Sequence, residues 1–213
     1  MKKRLRKIRQ PDYAQLKLLA GWPVFFILFL LTENLIPPER CRPIHCPLDD
    51  IIPFLEIFVI PYVLWYGLIA FSLVYFFLYN ADSFKKLQYY IIFLQLTAML
   101  IYILFPSRQD LRPELFPRDN IFSRIVALLY ALDSNTGVCP SLHCAISIGI
   151  ASVWLKTGTV SKAAKLAVTL LCLLICMSTL FIKQHSFLDF IAALPLCAAA
   201  EVLIFHKRRP KLT

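Results

Sequence analysis

Charge is scarce in this sequence. Only 17% of its 213 residues are Asp, Glu, Lys or Arg, against about a quarter in soluble globular domains. That leaves too little polar surface for a soluble enzyme. The 59% hydrophobic content excludes an intrinsically disordered chain. Glycine is also rare, at 5 residues, and aromatics make up 14%, so collagen-like and flexible low-complexity readings fail. Acidic residues are the scarcer sign, 13 against 23 basic, for a net charge of +10. In a soluble chain that excess would point to nucleic acid. Here the basic residues stand at the termini and in short loops between apolar runs, where such charges set topology and touch anionic headgroups. No nucleic-acid partner is expected; membrane lipids are.

What the chain has is long apolar runs. Six of them, about 16–36, 54–78, 87–105, 141–157, 164–182 and 187–206, are each near the ~20 residues that cross ~30 Å of hydrocarbon. The expected fold is therefore all-α: a single integral membrane domain over 1–213, a polytopic bundle of six transmembrane helices behind a basic cytoplasmic tail, 1–15. The first run follows a basic segment, MKKRLRKIR, but no small-residue cleavage site follows it, so it reads as a retained span and not a signal peptide. Pro61 and Pro195 are expected to kink the second and sixth spans.

With the N-terminus inside, alternation leaves seven basic residues outside: Arg40, Arg42, Arg108, Arg112, Arg118, Arg124 and Lys183. The other 16 fall inside, which supports six spans with both termini in the cytoplasm. The long loops, about 37–53 and 106–139, then lie outside. The second contains an amphipathic stretch with Ile121, Ile125, Leu128, Leu129 and Leu132 at helical spacing, expected to lie in the interface. Cys172, Cys176 and Cys197 fall inside apolar runs and read as small core residues. Cys41, Cys46 and Cys139 fall outside, where a Cys41–Cys46 disulfide is open.

Three clusters place ionisable groups at the outer ends of the spans, where such groups are costly and tend to be functional. Cys139-Pro140-Ser141-Leu142-His143 opens the fourth span; its first N–H groups are helix-terminal donors suited to an anion. The bland reading is a helix start with a satisfied histidine. In the segment from Ser178 to Asp189, His185 and Asp189 are four apart and share a helical face. A carboxylate there fixes the imidazole tautomer and frees the other nitrogen as base or nucleophile. The bland reading is an interfacial ion cluster with Lys183. Arg108 and Arg112 can bind phosphate with two donors each, or simply be solvated. All three clusters fall on one side, so one site with a nucleophile, an acid and several cations is the better account. The two histidines and Asp189, with Asp110 and Asp119 nearby, make a zinc site conceivable. The accompanying cations suit an anion better, and no metal or cofactor is expected.

These residues resemble the type 2 phosphatidic acid phosphatase superfamily of membrane enzymes. Arg112-Pro113 matches the end of that family's first motif, Pro140-Ser141-Leu142-His143 its second, and Ser178-Thr179, five residues, His185, three residues and Asp189 its third. Phe105 stands where the family has a lysine, Leu142 for a glycine and Thr179 for an arginine. Leucine in the second motif and Lys183-Gln184 before the histidine resemble the branch of inositolphosphotransferases and sphingomyelin-synthase-like proteins. The resemblance implies a metal-independent lipid-phosphate phosphatase at the outer face of the plasma membrane. His185 is then the nucleophile that forms a phosphohistidine, Asp189 its orienting partner and His143 the acid for the leaving oxygen. Arg112, Arg108, Lys183, Ser141 and Ser178 are the expected phosphate contacts. Substrates in keeping with it are amphiphilic lipid phosphates such as phosphatidic acid, lysophosphatidate and phosphatidylglycerol phosphate, and polyprenyl diphosphates. Competing readings are inositol- or choline-phosphate transfer by the same site, and a non-catalytic anion-binding or transport protein. A serine protease using Ser141 or Ser178 is disfavoured, because Ser141 and His143 are two apart and do not face each other on a helix.

Overall fold

The computed structural model of the chain describes residues 13–206. The basic segments on which the inside assignment of both termini leans, 2–9 and 207–211, lie outside the described residues. A 3₁₀ segment, Tyr13–Ala20, runs into α1 (Gly21–Leu35). The loop after α1 carries β1 (Arg42–Pro43) and α2 (Pro47–Ile51). A 3₁₀ turn, Glu56–Phe58, leads into α3 (Val59–Tyr79), and α4 (Ala81–Leu104) follows at once. The second loop carries β2 (Ser107–Arg108) and α5 (Ile121–Leu132). Then come α6 (Leu142–Lys156), α7 (Lys162–Phe181) and α8 (Phe187–Phe205).

The fold is an all-α bundle, and five of its helical segments are long and apolar enough to cross a membrane: Tyr13–Leu35, Glu56–Tyr79, Ala81–Leu104, Lys162–Phe181 and Phe187–Phe205. The remaining expected span is α6, at 15 residues. That is about 22 Å at 1.5 Å per residue. It is also the inner post of the bundle, packed between α4, α7 and α8. Small residues allow this close fit. A Cβ built on Gly149 would stand 2.7 Å from the Tyr90 ring of α4, whose hydroxyl in turn donates to the Cys197 carbonyl of α8 at 2.9 Å. Trp154 donates to Ser72 Oγ of α3 at 3.0 Å, satisfying a fully buried pair. By contrast α1 has no buried residue and turns Phe26, Ile27, Leu30 and Leu31 outward.

Pro61 lies in the first turn of α3, just after the 3₁₀ turn, where a missing N–H removes no helical bond. Pro195 lies inside α8, as its sequence position indicates. The two long loops, which the structure brings to the same end of the bundle, are stitched together by parallel pairing of Arg42 with Ser107 and Pro43 with Arg108, and the second is closed on itself by a bridge from Arg108 to Thr136. The amphipathic stretch is α5, with Val126 fully buried and Ile121, Leu128 and Leu132 exposed. All seven cysteines are free thiols, Cys41 and Cys46 included; Cys41 Sγ lies against the Pro37 carbonyl instead.

Candidate functional site

The site is built where the starts of α6 and α8 meet the end of α5. Ser186 caps α8, and its capping box closes with Asp189. One carboxylate oxygen, Asp189 Oδ2, accepts from the Ser186 N–H at 2.9 Å and pairs with His185 Nδ1 at 3.1 Å. The acid that starts the helix therefore also fixes the imidazole. With Nδ1–H donated to Asp189, the other ring nitrogen keeps its lone pair. The Asp189 main-chain carbonyl accepts from the Ser141 N–H at 3.0 Å, so α6 begins beside the dyad. His143, in the first turn of α6, comes to 5.7 Å from His185 between ring centroids. It is clasped by the rings of Tyr62 at 4.6 Å and Trp65 at 4.2 Å, and its buried Nε2 has no hydrogen-bond partner.

Both histidines border a cavity of about 410 Å³ that runs between α1, α3 and α4. Its walls are apolar, with Phe25, Phe29, Ile69 and Leu73 among them, and its polar end carries Asp133, Ser134 and Thr136 with the histidines. A long apolar slot ending in titratable groups is the form of a site for an amphiphile.

Asp133 is the residue that sequence reasoning overlooked. It caps the C-terminus of α5 and accepts from Gln184 Nε2 at 3.1 Å. Burial pushes its carboxyl up, aided by Glu33, while His185 and Arg112 pull it down. Burial also opposes a charged His185, but the bond and charge of Asp189, with Asp133 beyond it, prevail and raise it. The signal in the sequence was a lone acid closing the amphipathic stretch, followed by the uncharged polar run 134–136. Asp49 was also passed over. It plugs the N-terminus of α8, accepting from Phe187 N–H at 2.7 Å, Ser186 Oγ at 2.6 Å and Cys46 N–H at 2.8 Å.

The expected phosphate contacts fare differently from the expected catalytic trio. Arg112 donates to the carbonyls of Tyr130, Asp133 and Ser134 at 3.2, 2.9 and 2.9 Å and lies over the Tyr130 ring. It thus caps α5 beside Asp133, with its buried Nε unpartnered. Arg108 pairs with Asp110 at 3.0 Å and donates to the Pro38 carbonyl at 2.9 Å, so it ties the two long loops together and does not border the cavity. Lys183, in the left-handed region at φ 54°, donates to the Asp49 and Ile52 carbonyls. It closes α2, and burial pulls its ammonium down against Asp49 and Asp50. Ser141 Oγ caps α6 through the Cys144 N–H, and its own N–H is spent on Asp189. Ser178 Oγ donates to the Ile175 carbonyl inside α7 at 2.6 Å. The free N–H groups expected at the start of α6 are thus reduced, and the cations expected at the phosphate hold carbonyls and carboxylates instead. Among the described residues no group of three or more His, Cys, Asp or Glu is placed to hold a metal ion.

Compared with protein-family models, curated proteins and solved structures, the chain matches none. Its class rests on its own geometry: an all-α bundle with membrane-length helices and, at the head of an apolar cavity, two histidines with the carboxylates of Asp189 and Asp133.

Proposed function

We propose that this protein is a metal-independent lipid-phosphate phosphatase of the type 2 phosphatidic acid phosphatase kind, working through a phosphohistidine at the outer face of the plasma membrane. The observation that carries the reading is His185, held by Asp189 through Nδ1, next to an unpartnered His143 Nε2 at the head of an apolar cavity. His185 Nε2 attacks phosphorus and the P–O bond to the lipid breaks. His143 gives its proton to the departing oxygen. Water then attacks the phosphohistidine, His143 takes the water's proton, and inorganic phosphate leaves. Arg112 Nε–H is the donor we assign to a phosphoryl oxygen, since it is unpartnered while three of the other four N–H groups are bound to carbonyls. An alcohol in place of water would make the same centre a phosphotransferase.

In this reading α6 is the fourth of six crossings and both termini lie inside. A helix enclosed by α4, α7 and α8 need not match the lipid thickness itself. The test is phosphate release from a panel of lipid phosphates in detergent micelles by wild type, His185→Ala and His143→Ala, each with and without EDTA. Release that resists EDTA and is lost in both variants supports the proposal. Release abolished by EDTA overturns the metal-independent mechanism. Transfer to inositol, choline or diacylglycerol without hydrolysis moves the assignment to phosphotransferase. With neither activity the centre is an anion-binding one.

A further inference from the structure

The cavity carries a feature that an inert slot for hydrocarbon would not have. Gln95, in the middle of α4, is 2% exposed, and its Nε2 has no partner. Two indole N–H groups, Trp22 Nε1 and Trp65 Nε1, are likewise buried and unpartnered. All three residues border the same 410 Å³ cavity; Gln95 also borders a shallower groove between α1 and α4. In an apolar surrounding each unmet N–H carries a desolvation cost, and near the bilayer core there is no water to offset it. An indole can only donate, so what would satisfy this group is an acceptor brought in by the occupant.

The position along the cavity narrows what that acceptor is. Tyr102 of α4 donates to the Pro140 carbonyl at 2.6 Å, which marks the level at which α6 and its histidine begin. Gln95 lies seven residues earlier, two turns or about 10 Å deeper. Trp65 packs against His143, their ring centroids 4.2 Å apart and the planes tilted by 39°. An amphiphile with phosphorus at the histidines therefore meets these donors a few bonds into its body, where an acyl lipid has its carbonyl oxygens. A polyprenyl chain has no acceptor there.

We infer that the cavity selects acylated amphiphiles, with Gln95 and the neighbouring indoles donating to the ester or amide carbonyl of the chain linkage. This rests on the proposed lipid-phosphate reading and narrows its substrate class. It makes Gln95 a specificity residue, remote from the reacting atoms.

The experiment compares phosphatidates of one chain length in two forms, diacyl and dialkyl ether, with a ceramide phosphate and a polyprenyl phosphate beside them. Bromine placed in the chains quenches tryptophan fluorescence, and Trp22 and Trp65 in the cavity wall report occupancy whether or not turnover follows. Phosphate release is read in parallel. Wild type should prefer the diacyl form over the dialkyl by about three- to tenfold, the value of one neutral hydrogen bond. The polyprenyl phosphate should rank with the dialkyl form. Preference for the ceramide phosphate as well would assign the contact to any acyl carbonyl; preference for the diacyl form alone would assign it to the ester. Gln95→Leu, and Gln95→Met as a second variant, should lose affinity for the diacyl form until the two lipids bind within about twofold. Equal binding of diacyl and dialkyl lipids by wild type overturns the inference with no variant needed, as does a preference that survives both substitutions. A carbonyl preference in quenching without phosphate release upholds this inference and sinks the hydrolase reading; release without preference does the reverse.

Discussion

The main-chain N–H of Ser141 donates to the main-chain carbonyl of Asp189 at 3.0 Å, so the helix bearing His143 starts against the first turn of α8, which His185 immediately precedes. The bond depends on no side-chain chemistry at either position. It holds His143 and His185 at a fixed separation while Asp189 uses its carboxylate for His185. A nucleophile and an acid that act on opposite ends of one P–O bond need such a constant spacing.

The dyad gives the sharpest kinetic test. Asp189→Asn keeps the shape of the side chain and removes the charge that orients His185 and raises its pKa above the usual 6.5. Loss of the tautomer-fixing charge should lower kcat by about a hundredfold or more. The attacking imidazole must be neutral, so kcat/KM in wild type should rise with pH through that raised value. In Asp189→Asn the acidic limb should move to lower pH. A pH profile that keeps its position after the substitution would exclude His185 as the titrating nucleophile.

Asp133 faces the same centre from the end of α5 and is a liability for an anionic substrate. Its charge also helps to raise His185. Asp133→Asn should lower KM for a phosphomonoester severalfold by removing like-charge repulsion. It should also move the acidic limb down, by less than Asp189→Asn does. Both effects weaken in high salt. A higher KM in Asp133→Asn would mean instead that the carboxylate receives a donor from the substrate.

Arg112 separates support from catalysis. Its guanidinium meets three carbonyls at the end of α5 and the Tyr130 ring. Arg112→Ala should cost about 3 kcal/mol of stability, read as a lower melting temperature, because several charge-assisted bonds vanish together. Arg112→Lys keeps the charge without the fork. If it recovers stability and leaves kcat low, the Nε–H contact to phosphate is supported; if it recovers both, the arginine serves only as a cap.

Much of this was legible in the sequence, for a physical reason. Apolar runs of membrane length declare helices, and the boundaries of the last three fell within two residues because Ser141, Ser161 and Ser186 cap them, whereas α4 starts behind the Asn80 cap, six residues before the expected span. His185 and Asp189 do pair, as their spacing of four led one to expect, but through the cap turn and not a shared helical face: His185 precedes the Ser186 N-cap, and the Asp189 carboxylate that closes the capping box reaches back to it. The cations could not be assigned this way. Arg108, Arg112 and Lys183 sit in loops, where the nearest acceptor is decided by tertiary folding: the Pro38, Asp133 and Asp49 carbonyls took them. Asp133 and Gln95 were missed because each is a single polar residue against an apolar pattern, Asp133 closing α5 and Gln95 inside α4. Their meaning comes from the cavity between α1, α3 and α4, which no local period encodes.

Asp49 is the case where a loop residue secures the site from outside it. Burial opposes its charge, but the N–H groups of Phe187 and Cys46 and the Ser186 hydroxyl overcome that and hold its carboxyl below the usual 3.8. A depressed carboxyl contributes stability that is fully present above its unfolded value and is lost as pH falls through the folded one. The melting temperature of wild type should therefore drop as the medium is acidified below about pH 4, and Asp49→Asn should start lower and drop less. The loss should also reach the chemistry, because Ser186 donates to Asp49 and is the cap that Asp189 completes. Asp49→Asn should then lower kcat as well as stability. A variant that melts earlier while its turnover below the melting temperature equals wild type would show that Asp189 and His185 hold their geometry without the loop.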